Sequence, residues 1–507
     1  MEKKLRVPVN PFQRKCEKIL FWALIFLAEF HMFSCSFREI LPGYSEPFFR
    51  VERWIGAVIL VALGLYIGSS VGCFPGSLGR FKPLFRRLRS FEQFYMLWMF
   101  FWYLAVLIIW QIVKGRSVNL FRQNDWWLFQ TALMAFVFFP LPRVLGTKRA
   151  KQLIETMLKL VLIPHMLVWG WILLQYFHRN YITFPSGGIL GMEPDRSLTF
   201  GYNQNITGAG AMIMMALCLY LVATQEKLRK LPYVFGAAVY FSILVLSNCR
   251  TSWYCALMIA VCGSFFSVWF GLKEKPRLFR VLVGLLTACV AVLCLTWLRG
   301  ELFVLLIDVS YARFPEFAAA EAEMDKAAVE NMQVLPTVIE SAADYARTAD
   351  VDAGGLSGRV PLYLACRDVL LSRKSFFFFG VPSCDFAASV FGRHGVDRAF
   401  VHAHNFLLTT GMYYGVPTML LTAAFLISIF IRCFRLLFIH KNQPFRGFWM
   451  IPIVLAALVA QDMMESFLSM SAWYLICPSF YLFAGWVVAM DEEAKVHSSI
   501  LKVESES

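Results

Sequence analysis

The feature that most constrains this chain is a succession of apolar runs, each close to the roughly 20 residues an α-helix needs to cross a bilayer. About twelve such runs can be drawn, at 18–36, 54–73, 93–113, 126–142, 153–177, 206–224, 232–248, 252–271, 281–298, 404–431, 447–465 and 471–490. Hydrocarbon offers backbone amides no partners, so spanning segments must satisfy their own hydrogen bonds, and helices do this within a single segment. A chain that is 58% hydrophobic and 16% aromatic is therefore expected to be an all-α polytopic membrane protein. Lys3, Lys4 and Arg6 precede the first run, which holds Glu29 and lacks a small-residue cleavage site. That pattern predicts an uncleaved first helix rather than a signal peptide.

Charge then orients the helices. With the N-terminus inside, the short cytoplasmic connections are 74–92, 143–152, 225–231, 272–280 and 432–446. Each is basic: Arg86 and Arg87, Lys148 and Arg149, Arg229 and Lys230, Lys275 and Arg277, Arg432 and Arg435. This is the positive-inside pattern, and it absorbs most of the net charge of +14. Because the charge is spread over separate loops rather than gathered on one face, a nucleic-acid partner is not expected. The segment 299–403 has the opposite balance between Glu301 and Gly358, with Glu316, Glu321, Glu323, Asp325 and Glu330 among its acids. It is also rich in alanine, a strong helix former. The expected organisation is nine helices over 1–298, a large, mostly helical extracytoplasmic loop domain over 299–403, three more helices over 404–490, and a cytoplasmic tail over 491–507.

Against this background a few polar residues stand out. His402-Ala403-His404-Asn405 lies where the polar segment meets the run that continues toward Ile431. A buried polar pair at the mouth of a membrane helix is costly unless it has partners or a task. Arginines mark predicted outer helix ends: Arg196 ahead of Asn203 and Asn205, Arg250 in the short turn Ser247-Asn248-Cys249-Arg250-Thr251, and Arg359 after Ser357-Gly358. Singly, each fits an interfacial anchor whose stem snorkels to the headgroups. Together, on the side where basic residues are scarce, they fit a phosphate-bearing ligand, since the guanidinium fork grips phosphate oxygens bidentately and keeps its charge.

The order of these segments resembles the O-antigen ligase and O-antigen polymerase superfamily of polytopic glycosyltransferases. The resemblance covers about residues 190–470 and includes Phe379-Gly380-Val381. The ligase pattern of His-Asn, nine residues, then Gly is met by His404, Asn405 and Gly415, but Thr418 stands where the next glycine would fall. The resemblance implies a GT-C-like fold in the plasma (inner) membrane of a bacterium, with both termini cytoplasmic. It implies transfer of a glycan from a polyprenyl diphosphate donor to a glycan or lipid acceptor hydroxyl at the outer face, with no cofactor and no metal. It makes His404 the general base and Arg196 and Arg250 the diphosphate clamps. Arg359, Asn405, Asn205 and His402 become substrate-binding candidates. The chemistry is consistent: the acceptor hydroxyl must lose a proton as it attacks, and histidine titrates in the useful range.

The competing class is a lipid-linked oligosaccharide flippase or other polysaccharide transporter, which would place its polar residues near the midplane and carry repeats; no repeat of the two halves is visible. A non-catalytic scaffold leaves His404-Asn405 without a task. The chain shows no CxxC, HExxH, Walker A or glycine-rich dinucleotide pattern. Glu155 and Lys159 are spaced to pair along a helix. Asp462 and Glu465, near the outer end of the eleventh run, fit two readings equally: orienting His404 or a clamp arginine, or structural pairing. Glu29, His31 and His165 are expected to be interfacial or satisfied, and Cys366 and Cys384 are the two cysteines of the large outer segment, where a disulfide is open.

Overall fold

Helices of the length a bilayer demands dominate the computed structural model. It describes residues 90–114, 138–178, 204–313, 356–382, 403–439, 445–465 and 476–506, with short pieces at 19, 131, 135–136, 182–183, 189–192, 198–201, 386–387 and 389. The helices are α1 (Phe91–Lys114), α2 (Leu141–Leu145), α3 (Thr147–Phe177), α4 (Gln204–Thr224), α5 (Leu231–Leu246), α6 (Arg250–Gly271) and α7 (Arg277–Arg313). They continue with α8 (Leu356–Ser372), α9 (Lys374–Phe379), α10 (Phe406–Tyr414), α11 (Val416–Phe434), α12 (Met450–Glu465) and α13 (Ile476–Glu506). Between α3 and α4 a small antiparallel sheet departs from the all-helical expectation. In it β1 (Ile182–Thr183), β2 (Ile189–Met192) and β3 (Leu198–Gly201) pair in sequence order.

Seven helical spans among the described residues are long and apolar enough to cross a membrane, which marks a multi-pass membrane protein. The expected twelve is not reached. The run 18–36 apart from residue 19, the run 54–73 and much of 126–142 lie outside the described residues, and Met450–Met464 is a shorter apolar helix. The run 404–431 is two helices, because Gly415 breaks it. At φ 87° and ψ 163° its backbone occupies a region in which side chains are strained, and an added Cβ would collide with the Phe378 carbonyl. Gly380, at φ 70°, is pressed in the same way against the Met412 carbonyl, which also accepts from Val381 N at 2.6 Å. The two glycines thus let α9 and α10 meet backbone to backbone. Gly415→Ala is expected to destabilise the fold by about 2 kcal/mol or more, read as a lower melting temperature in detergent. A variant melting with the parent would show that this contact contributes nothing.

The structure divides into two compact units. In the first, α1 and α11 run antiparallel along a polar seam. Trp98 Nε1 donates to Thr418 Oγ1 at 3.2 Å, Tyr95 and Thr422 share a hydrogen bond of 2.9 Å, and Ser428 donates to Glu92. Tyr95 also stacks on Phe425, with centroids 4.3 Å apart. Interhelical hydrogen bonds of this kind hold helices together where lipid removes the hydrophobic drive. Helix α13 packs in with Gly485 against the Phe139 carbonyl, and its Phe483 and Trp486 rings lie beside Tyr220.

In the second unit α6 and α7 form a hairpin in which Gly284 admits the ring of Phe265. Helix α7 is 37 residues long, about 55 Å, well beyond a hydrocarbon core of about 30 Å. It runs through residue 299, where an external loop was expected to begin, and ends at Arg313. The remaining acidic stretch, 314–355, lies outside the described residues.

Candidate functional site

His404 sits just before the N-cap of α10 with φ 47°, a left-handed conformation uncommon outside glycine, with asparagine, aspartate and histidine its more frequent exceptions. Its neighbours hold that backbone on three sides. Asn405 is the N-cap, its Oδ1 accepting from Leu408 N at 3.1 Å, the usual service of asparagine at a helix start. Asn405 Nδ2 donates to the Met463 carbonyl at 3.0 Å near the end of α12. Ala403 N donates to Thr409 Oγ1 at 3.1 Å. The nine residues that separate Asn405 from Gly415 are α10 itself, so this spacing is the length of one capped helix between two backbone breaks. Asn405 therefore has a structural task that accounts for its presence, beyond the substrate contact expected of it.

The ground beneath this turn is polar and closed. Asp462, Gln461, Thr409 and Thr410 are fully buried. Neither side-chain amide atom of Gln461 has a hydrogen-bond partner among the described residues, and a buried amide needs one. The side chain of Glu465, the other carboxylate expected here, lies outside the described residues.

Arg250 belongs to the second unit. Helix α5 ends at Leu246 and α6 begins at Arg250, so the connection is as short as expected. Asn248 turns the chain at φ 51°, a conformation asparagine tolerates. Ser247 Oγ donates to the Leu244 carbonyl at 2.8 Å and also accepts from Cys249 N at 3.4 Å. Gly208 of α4 lies flat on this turn, its missing side chain leaving room for Cys249 and Ser247. The start of α4, where Asn205 stands, and the Arg250 turn are thus brought into one place. Arg250 itself is exposed. Arg196, Asn203 and His402 lie outside the described residues; Arg359 is in the first turn of α8, and its side chain is not described.

Several expected pairings are rearranged. Glu155 pairs with Lys151 at 3.6 Å rather than with Lys159. Gln225 stands between the two, accepting from Lys159 Nζ and donating to Glu155, each at 3.1 Å, because the residue just past the end of α4 supplies a partner from outside the helix. His165, expected to be satisfied or interfacial, is buried in α3, its Nδ1 lacking a hydrogen-bond partner among the described residues. Cys366 is a free thiol, buried with Sγ 3.0 Å from Met412 Sδ. Burial pushes its pKa up to about 12, so it is held as an inert thiol. Cys384 lies outside the described residues. Among the described residues no group of three or more His, Cys, Asp or Glu converges as a metal site.

The largest buried charge cluster among the described residues was not anticipated at all. Arg432, expected in a basic loop, is 9% exposed. Its Nε and Nη2 donate to the two oxygens of Glu92, the latter bond at 2.9 Å, and its Nη1 donates to Asp491 Oδ2 at 2.8 Å. Arg435 forks onto both Asp491 oxygens at 3.1 and 2.8 Å, and Lys495 adds a contact of 3.0 Å. Asp491, placed in a cytoplasmic tail by the sequence, is fully buried in α13. The available signal was an acid at the same-side end of two apolar runs, Glu92 and Asp491, facing two arginines at the end of a third.

No protein-family model matches this chain, and no curated protein matches it.

Proposed function

We propose that the chain is an O-antigen ligase- or polymerase-like membrane glycosyltransferase of cell-surface polysaccharide biosynthesis. It moves a glycan from a polyprenyl diphosphate carrier to an acceptor hydroxyl at the outer face of the membrane. The observation that carries this reading is the backbone of His404. A histidine kept in the left-handed region costs of order 1–3 kcal/mol, and here a cap, a cross-helix bond to Met463 and a threonine bond hold it there. Strain that neighbours over-determine is a mark of a working residue.

In the proposed reaction the acceptor oxygen attacks the anomeric carbon as His404 takes its proton. A new glycosidic C–O bond forms while the C–O bond to the diphosphate breaks. The departing diphosphate is already acidic, so it needs charge stabilisation more than a proton. Arg196 and Arg250 supply it, with Arg359 as a further contact, while Asn205 and His402 contact the glycan. The basic connection around Lys275 sets the cytoplasmic side, and the Arg250 turn, at the other end of α6, faces outward.

The experiment is transfer by purified protein supplied with a polyprenyl-diphosphate glycan and acceptor. Arg250→Lys is expected to lose most activity at normal expression, because lysine offers a point charge in place of a fork. Activity close to the parent would return Arg250 to the status of an interfacial anchor. In cells, loss of the protein is expected to leave glycan on the lipid carrier: long chains mark a ligase and single repeats a polymerase.

A further inference from the structure

The α6–α7 hairpin carries an arginine on a tryptophan at each end. Arg280 lies over Trp269 with its guanidinium carbon 4.4 Å from the ring centroid, and Arg299 lies over Trp253 at 4.7 Å. Arg280 and Arg299 stand about 28 Å apart along α7, and Trp253 and Trp269 about 24 Å apart along α6. Those separations approach the roughly 30 Å of a hydrocarbon core. Between the two pairs α7 presents a bare apolar face, with Leu286 65% and Leu293 70% exposed. Tryptophan and arginine are the residues that settle at headgroup level, so the two pairs mark the two membrane interfaces.

The two ends are not alike. Around Arg280 the residues 273–279 are exposed throughout. That end has the character of a snorkelling anchor. At the other end Trp253 is 6% exposed, and Ser247, Cys249 and Ser252 behind it are buried under Gly208 of α4. Arg250 is one turn before Trp253, at the i,i+3 spacing that makes helix neighbours. Glu301, two positions beyond Arg299, falls on another face of α7. Arg250 and Arg299 thus both belong to the Trp253 end of the hairpin, at headgroup depth, and Trp253 holds the Arg299 guanidinium in place.

We infer that Arg299, fixed on Trp253, joins Arg250 in a two-arginine seat for the phosphates of a membrane-anchored lipid diphosphate. This rests on the proposed function and adds to it a residue and a depth. Flat guanidinium forks suit phosphate oxygens, and a ring-stacked fork has less freedom to lose on binding. A diphosphate carried by a polyprenyl tail arrives at the plane where these side chains lie.

The test uses full-length protein in nanodiscs and measures binding of undecaprenyl diphosphate, with inorganic pyrophosphate and phosphatidylglycerol as the other probes. Arg299→Ala is expected to weaken binding of the lipid diphosphate on the order of tenfold. Arg299→Lys, which keeps an anchoring charge and so protects folding, is expected to weaken it too. Arg280→Ala, the matched change at the opposite interface, is expected to leave binding unchanged. Equal behaviour of the Arg299 and Arg280 variants would make Arg299 an anchor and overturn the inference, while a transfer activity lost in Arg250→Lys would still support the proposed function. Pyrophosphate or phosphatidylglycerol binding as tightly as the lipid diphosphate would overturn the assignment to a lipid diphosphate. If changes at neither Arg250 nor Arg299 alter binding or transfer, both proposals fail together.

Discussion

Arg432→Met is expected to destabilise the protein by about 3–5 kcal/mol, the usual consequence of removing one partner from a buried ion pair. Glu92 is 1% exposed and, among the described residues, would keep only Ser428 as a side-chain partner, while Asp491 would retain Arg435 and Lys495. The cost therefore falls mainly on Glu92, whose charge would be left in a low-dielectric interior. Thermal unfolding of purified protein in detergent measures it, and reduced yield should accompany it. Adding Glu92→Gln to Arg432→Met should recover part of the loss, because the orphaned charge disappears. Unchanged melting of the single variant would show that α1, α11 and α13 are held together without this charge cluster. Arg435→Ala is the milder comparison, since Asp491 keeps two cations after it.

The second large effect is catalytic. His404→Ala is expected to slow glycan transfer by roughly 10²- to 10⁴-fold, the contribution of a positioned general base, and His402→Ala should cost much less. Transfer should continue in excess EDTA, because arginines take the charge role of a metal in the proposed reaction. His404→Asn separates chemistry from folding: asparagine accepts the left-handed backbone readily, so that variant should melt with the parent and still fail to transfer. An active His404→Asn protein would sink the general-base role, as would turnover abolished by EDTA or an essential His402 beside a dispensable His404.

The apolar runs located helices because each span must bury its own backbone, a constraint that acts locally and leaves a local trace. Phe91–Lys114, Arg250–Gly271 and the span within Arg277–Arg313 were legible for that reason. The break at Gly415 was marked by the glycine, but its cause was not, because the Phe378 carbonyl that excludes a side chain comes from another element. Charge was legible as orientation and misleading as location. Arg432 and Arg435 counted correctly as basic residues near a helix end, yet their carboxylate partners lie 340 and 56 positions away, and no local pattern encodes which distant acid a guanidinium will meet. Lys159 turned to Gln225 for the same reason.

At the candidate site, residue type announced His404, Asn405 and Arg250. The left-handed backbone of His404 and the bond from Asn405 to Met463 needed the packing of α10 on α12. Arg299 passed unnoticed because a cation over a ring 46 positions away in the chain has no periodicity to betray it. The sequence by itself determined that this chain lives in a membrane and where many of its helices run, since hydrocarbon imposes one rule on every span. Which polar side chains are paired, strained or poised was decided only by tertiary structure, because those properties belong to contacts between helices.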